Sequence, residues 1–212
     1  MKFKDTIGIF KNAFTEKECN ELSKRIDNVT LMGNVMTKIK AKYNKKIRNC
    51  IDYNIMGRNN PVDDNLSKLV NTKFNYFTQK YLNGFPHNDI YHHGRIVYGS
   101  TYFPLFQIQK YKKMEGHYNA WHVEKESSTS NRMFVYILYL NTVEKGGQTG
   151  FLFKERKKDK DFFKVKPEIG KLIIHPCSWP YIHKGYMPES SDKYILTTWL
   201  QYEDPFKPRR RR

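Results

Sequence analysis

The sequence predicts a protein of the α+β or mainly-β class, with an antiparallel β-sandwich or barrel supported by N-terminal helices. Two observations predict this fold. Short apolar or alternating segments, separated by turn residues, follow one another from Leu105 to Tyr202. Two or three segments with helical periodicity come before them in the first hundred residues. Strands at such short intervals are typical of antiparallel sandwiches and barrels.

The first predicted helix begins at a capping box. Thr15 can accept a hydrogen bond from the amide of Glu18, and the Glu18 side chain can reach back to the amide of Thr15. The helix should continue to about Asp27, because the residues that follow place apolar side chains on one face. These apolar residues are Cys19, Leu22 and Ile26.

A second amphipathic helix is predicted from Asp63 to Leu82, ending at Asn83-Gly84. Its apolar positions recur with a period near 3.6 residues. They are Leu66, Leu69, Val70, Phe74 and Phe77. The stretch from Pro86 to Pro104 is rich in glycine, histidine and aromatic residues and is predicted to be a long loop.

Six segments in the second half of the chain have strand character. One of them, MFVYILYLN, is a continuous apolar run, as expected for a strand that is covered on both faces. The six segments are FQIQKYK, MFVYILYLN, GQTGFLFK, FFKVKP, GKLIIHP and KYILTTWLQY. Turns are predicted at 144–147, 157–160 and 167–170.

Composition limits the class of protein. The longest apolar run, Met133 to Leu140, is too short to cross a membrane as a helix, and the N-terminus lacks the features of a signal peptide. Three cysteines at unrelated spacings argue against a disulfide framework and favour a reducing compartment. We therefore expect a cytoplasmic protein with no membrane partner.

The net charge of +17 is unusual. Positive residues concentrate in 38–48 and in the tail 207–212. Such a surface attracts polyanions, so nucleic acid is a possible partner, but no recognition motif accompanies the charge and a solvated lysine-rich surface is the favoured interpretation.

The segment Trp121-His122-Val123-Glu124 is the first feature that suggests chemistry. In a strand, His122 and Glu124 would point to the same face. An imidazole and a carboxylate are two of the three ligands in the facial triad that binds non-haem Fe(II). A second histidine, His183, lies 59 residues after Glu124 and could complete the triad.

From about Leu105 to Tyr202, the chain resembles the 2-oxoglutarate- and Fe(II)-dependent dioxygenases of the prolyl-4-hydroxylase-like branch. Seven motifs of that family occur in the right order at the right spacing. They are Tyr111 with Gly116, His122-x-Glu124, Tyr139-Leu140-Asn141, Gly146-Gly147-Gln148-Thr149-Gly150-Phe151, Gly170 to Pro176, His183-Lys184-Gly185, and Lys193. The first thirty residues also resemble the beginning of that family.

The resemblance implies a double-stranded β-helix, or jelly-roll, with Fe(II) and 2-oxoglutarate as cofactors and ascorbate as a possible reductant. It implies one domain over 1–205, in which 1–100 form a helical support and loop region and 101–205 form the catalytic core; a basic tail, 206–212, follows. The implied iron ligands are His122, Glu124 and His183. Lys193 would bind the distal carboxylate of 2-oxoglutarate, assisted by Tyr111 and Thr149.

The family usually has His-x-Asp where this chain has His-x-Glu. Glutamate is one methylene longer, which leaves a homologue that no longer turns over as an alternative, but an active enzyme is the favoured interpretation because some relatives carry glutamate here. Other histidines are predicted not to be ligands: the adjacent His92 and His93 to lie in a loop, His117 to be exposed, and His175 to end a strand. Trp121 and Trp199 are predicted to be wall or core residues.

Two classes of function follow from the sequence. The first is a hydroxylase of peptidyl proline or of another amino-acid side chain, with a protein, peptide or small-molecule substrate. The second is a non-catalytic basic β-sandwich module that binds nucleic acid or another polyanion.

Overall fold

The computed structural model describes residues 2–4, 6–31, 44–55, 60–85, 101–152 and 163–203, and every structural statement below concerns those residues. Most of the segment 38–48, the loop residues 86–100 with His92 and His93, the turn 157–160 and the tail 206–212 lie outside them.

Two α-helices, one short 3-10 helix (Ser127–Thr129) and thirteen strands are present in the described part of the chain. The α-helices are α1 (Glu16–Leu31) and α2 (Pro61–Leu82). In chain order the strands are β1 (Lys2–Lys4), β2 (Ile7–Phe10), β3 (Arg48–Asn49), β4 (Ile51–Ile55), β5 (Thr101–Tyr102), β6 (Phe106–Tyr111), β7 (His117–His122), β8 (Arg132–Tyr139), β9 (Thr149–Leu152), β10 (Phe163–Val165), β11 (Leu172–Pro176), β12 (Ile182–Gly185) and β13 (Lys193–Tyr202).

The strands form two antiparallel sheets. The larger sheet has the order β1-β2-β11-β8-β13-β6-β4, with β5 paired to one end of β13. The smaller sheet has the order β10-β9-β12-β7-β3. Neighbours in space are often distant in sequence, as in a jelly-roll, and the predicted mainly-β fold with supporting helices is confirmed.

Both helices pack on the outer face of the larger sheet. The predicted capping box is present at the start of α1, where the Thr15 amide donates to Glu18 Oε2 at 2.7 Å. α2 is capped by Asn60 and buries the stripe that its periodicity predicts, including Leu66, Val70 and Phe74. The Phe74 ring stacks on Tyr136 of β8, with centroids 5.1 Å apart. The two helices therefore support the outer face of the larger sheet, and the opposite face of that sheet lines the site.

The first hundred residues contribute more to the sheets than the sequence indicated. Strands β1, β2 and β4 extend the larger sheet, and β3 extends the smaller one. The prediction of only helices and loop in this region was therefore incomplete. These strands are two to five residues long, which is too short for an alternating pattern to be recognised.

Candidate active site

Two histidines face each other on neighbouring strands of the smaller sheet. His122 at the end of β7 and His183 in β12 are directly paired in the antiparallel register, and their ring centroids are 4.4 Å apart. His122 Nδ1 lies 2.9 Å from the carbonyl oxygen of Ala120, and His183 Nδ1 lies 3.2 Å from that of Tyr181. Since a carbonyl only accepts, each Nδ1 carries a proton, so the lone pair of each ring in its neutral form lies on Nε2.

The carboxylate of Glu124 approaches the two histidines from outside strand β7. The chain leaves β7 after His122 and bends, with the amides of Glu124 and Lys125 both donating to the carbonyl oxygen of Cys177. The expectation that Glu124 lies in the same strand as His122 was therefore wrong. The bend nevertheless places Glu124 Oε1 3.3 Å from His122 Nε2 and 3.6 Å from His183 Nε2.

The protonation states of this cluster suit a metal cation. Burial raises the pKa of Glu124, but hydrogen bonds and charges from His122 and His183 outweigh it and hold that pKa well below its ordinary value. Burial lowers the pKa of His183. A metal cation would take the place of the Nε2 protons beside Glu124 and leave an ionised carboxylate with neutral imidazoles, the state in which these groups bind metals.

Lys193 begins β13 and lies fully buried in the same cavity. Its Nζ donates to the carbonyl oxygens of Gly147 at 3.1 Å and Tyr186 at 3.4 Å. Gly146 and Gly147 both have positive φ, near +73° and +72°, and this turn directs the Gly147 carbonyl at the lysine. No carboxylate among the described residues forms an ion pair with Lys193, and burial lowers its pKa to about 7.

The cavity between the sheets has a volume of about 350 Å³. The triad lies on its smaller-sheet side, and Lys193 lies on the larger sheet. Val135, Ile137 and Ile195 form an apolar part of its wall, and Gln107, Gln109 and Thr197 form a polar part.

Comparison with known proteins shows what the second half of the chain is similar to. Residues 106–201 match the family model described as the 2OG-Fe(II) oxygenase superfamily. The chain contains a 2OG-Fe(II) oxygenase domain. The resemblance to dioxygenases of the prolyl-4-hydroxylase-like type is thereby confirmed, and a domain of this kind implies Fe(II) and 2-oxoglutarate.

A curated relative of this domain is prolyl 4-hydroxylase 13 of Arabidopsis thaliana, 27% identical over 119 residues. The match covers 47% of this chain and 43% of the relative, so the chain matches less than half the length of that protein.

Solved structures of prolyl hydroxylases share the fold at low sequence identity. The collagen prolyl hydroxylase of Paramecium bursaria Chlorella virus-1 aligns with a TM-score of 0.57 at 18% identity, covering 94% of this chain and 97% of the other. A Pseudomonas putida prolyl-4-hydroxylase aligns with a TM-score of 0.64 at 15% identity, covering 94% of each chain. A Trichoplax adhaerens prolyl hydroxylase aligns with a TM-score of 0.68 at 16% identity, covering 94% of this chain and 84% of the other.

The residues of this oxygenase domain fit both implied groups. Two imidazole nitrogens and one carboxylate oxygen, all within 4.8 Å of one another, form the donor set that non-haem Fe(II) prefers. A buried lysine without a described acidic partner is costly, and a carboxylate of 2-oxoglutarate would supply the missing charge.

Tyr111 and Thr149, the two further residues expected at the cosubstrate, also line the cavity. The Tyr111 ring lies under Lys193, with Nζ 4.4 Å from the ring centroid, and its hydroxyl donates to Gln109 Oε1 at 2.6 Å. Thr149 Oγ1 accepts from the Tyr139 hydroxyl at 2.6 Å.

Sequence reasoning did not identify several residues beside the ligands. Tyr118 stacks on the His122 ring with centroids 3.9 Å apart, and the guanidinium of Arg48 lies 5.7 Å from the Tyr118 centroid. Arg132 and Trp199 both contact Glu124. The contacts made by Arg48 and Trp199 come from strands that are distant in sequence, so no local pattern indicates them.

The histidines set aside in the sequence occupy other positions where they are described. His175 is buried at the end of β11, and its Nδ1 lies 2.8 Å from the carbonyl oxygen of Pro176. His117 is part-exposed at the start of β7, with Nδ1 2.9 Å from the carbonyl oxygen of Glu115. Neither belongs to the three-residue cluster.

No helix in the described ranges is both long and apolar enough to cross a membrane.

Proposed function

We propose that this protein is an Fe(II)- and 2-oxoglutarate-dependent hydroxylase of peptidyl proline or of another amino-acid side chain. The observation that supports this most directly is that His122, Glu124 and His183 face one cavity of an oxygenase domain that also contains the buried cation Lys193.

In this proposal His122 Nε2, His183 Nε2 and Glu124 Oε1 hold the metal. When bound, iron and 2-oxoglutarate supply the oxidising chemistry, in which 2-oxoglutarate and dioxygen yield succinate, carbon dioxide and a hydroxylated C–H bond. The protein positions the reactants and excludes water. The carbonyl oxygens of Ala120 and Tyr181 keep the two imidazoles in the tautomer that presents Nε2.

Lys193 binds the distal carboxylate of 2-oxoglutarate. A charge-assisted hydrogen bond of this kind contributes about 1.5–3 kcal/mol. Its present partners, the carbonyl oxygens of Gly147 and Tyr186, are neutral acceptors, so a carboxylate improves its electrostatic environment. Thr149 and Tyr111 lie beside it and orient the cosubstrate.

A peptidyl substrate is supported by the relatives. The Arabidopsis protein is named a prolyl 4-hydroxylase, and the Trichoplax prolyl hydroxylase was solved with a hypoxia-inducible-factor peptide. We transfer the class of substrate, an amino-acid side chain within a polypeptide, and no particular sequence.

Succinate release tests the proposal. The full chain is incubated with Fe(II), 2-oxoglutarate, ascorbate and a proline-rich peptide, and the peptide is analysed by mass spectrometry for a gain of one oxygen. Succinate should form only when both Fe(II) and 2-oxoglutarate are present. His122→Ala and His183→Ala should abolish it, whereas His117→Ala, on the same strand as His122, should not.

Failure of the wild-type protein to bind 2-oxoglutarate in the presence of Mn(II) would refute the enzyme hypothesis. If the protein instead binds a polyanion with steep salt dependence and is indifferent to Fe(II), the non-catalytic basic module is the correct function.

A further inference from the structure

The carboxylate of Glu124 has two oxygens with different partners. Oε1 faces the two histidines, at 3.3 Å from His122 Nε2 and 3.6 Å from His183 Nε2. Oε2 accepts one hydrogen bond from the indole N–H of Trp199 at 3.0 Å and another from Arg132 Nη1 at 3.1 Å. One oxygen is therefore held by the protein while the other is directed toward the metal position.

The two donors support each other. The guanidinium carbon of Arg132 lies 3.8 Å from the ring centroid of Trp199, a close cation–π contact. Arg132 Nη1 also donates to the main-chain carbonyl oxygen of Glu124 at 3.1 Å. Arg132 begins β8 and Trp199 lies in the adjacent β13, so both donors are fixed to paired strands of the larger sheet.

These contacts restrict the glutamate side chain, which is one methylene longer than aspartate. That side chain has one more rotatable bond than aspartate, and Glu124 sits in a bend rather than in a strand. A free carboxylate there could swing away or turn both oxygens to the metal. With Oε2 engaged by two donors, only Oε1 remains directed at the histidines.

We propose that Arg132 and Trp199 are positioning residues that hold Glu124 as a one-oxygen metal ligand and so make a glutamate competent at this site. The inference rests on the proposed metal site but not on the substrate or on turnover. Partners of this kind typically change metal affinity by about 10–100-fold.

Metal binding by the purified full chain tests it without an activity assay. Mn(II) affinity is measured by calorimetry, and Co(II) absorption reports the coordination of the metal. Trp199→Phe keeps a ring beneath Arg132 and removes the N–H donor, and Arg132→Gln removes the guanidinium with its charge and shortens the side chain. The matched controls are Trp179→Phe, at a tryptophan that is 76% exposed, and Lys125→Gln, an exposed cation next to Glu124.

We expect Trp199→Phe and Arg132→Gln each to weaken Mn(II) binding about tenfold and to alter the visible Co(II) spectrum, while both controls match the wild type. Circular dichroism identifies a variant that fails to fold, in which case the other variant decides.

Binding by the folded variants within about twofold of wild type would overturn the proposal. So would weaker binding with an unchanged Co(II) spectrum, because the coordination would then not depend on these donors. Absence of Mn(II) binding in the wild-type protein itself would refute the metal site and the proposed function together, which distinguishes that failure from failure of the positioning role.

Discussion

Lys193 and Tyr111 are cross-strand partners of β13 and β6, and the lysine nitrogen lies 4.4 Å from the centre of the tyrosine ring. The ring shields the amine from solvent on one side, and the main chain of Gly147 and Tyr186 contacts it on others. Because the lysine is buried, its pKa falls to about 7. This cation is therefore only partly protonated at neutral pH until an anion binds.

The affinity for 2-oxoglutarate should consequently depend on pH. The pKa of Lys193 is about 7 in the free protein, and a bound carboxylate raises it. Binding is then strongest below pH 7 and weakens by about tenfold per pH unit above it, because a proton must be taken up. Titration of 2-oxoglutarate by calorimetry at saturating Mn(II), from pH 6.5 to 8.5, measures this slope.

Lys193→Arg is the matched variant for that experiment. Arginine stays protonated over this range, so its affinity should not vary with pH, whatever its absolute value. A flat profile for the wild-type protein would contradict the assignment of Lys193 as the carboxylate partner.

Shortening the carboxylate ligand should impair the site. In Glu124→Asp the side chain loses one methylene and cannot reach both the donors on Oε2 and the metal position from the same main-chain bend. We expect Mn(II) affinity to fall by about tenfold or more. Glu115→Asp, the same change at an exposed glutamate, is the control. Wild-type affinity in Glu124→Asp would show that the bend moves to compensate.

The stack of Tyr118 on His122 predicts a second route to weaker metal binding. Tyr118→Leu removes an aromatic contact at a centroid distance of 3.9 Å, and such contacts contribute about 0.5–1.5 kcal/mol. Mn(II) affinity should fall about two- to tenfold by calorimetry. Tyr118→Phe keeps the ring and should bind normally; an equal loss in both variants would assign the effect to the hydroxyl instead.

Stability should depend on the helix-side core. Phe74 of α2 is fully buried and contacts the rings of Phe14, Phe106 and Tyr136. Phe74→Ala should lower the free energy of unfolding by about 3–5 kcal/mol in urea titrations. Tyr76→Ala, at a residue 54% exposed on the same helix, should cost about 1 kcal/mol or less. Similar losses of unfolding free energy in Phe74→Ala and Tyr76→Ala would mean that α2 does not pack on the sheet through the face that contains Phe74.

The parts of the fold that were predicted from sequence have strong local signals. The apolar run of β8, the alternation of β6 and the periodicity of α2 each reflect a single element with one or two buried faces. The short strands β3 and β4 were missed, because their pairing depends on β7 and β6 rather than on their own residues.

In the candidate site, too, only the residues that belong to local sequence motifs were predicted. Its ligand and cosubstrate residues lie within motifs of fixed spacing, and the structure brings His122, Glu124 and His183 together beside Lys193. Their roles stay predictions. Arg132 and Trp199 could not be predicted as partners of Glu124, because their contacts arise only when β8 and β13 pair and the chain bends after β7.

The register of His122 against His183 has a further consequence for local dynamics. An ion held by both would link β7 to β12 across roughly 60 intervening residues and would oppose separation of the two strands. Amide hydrogens along these two strands should therefore exchange more slowly after metal is added, while those of α2, on the far face of the other sheet, stay unchanged. In that case the bound metal ion contributes part of the rigidity of the smaller sheet.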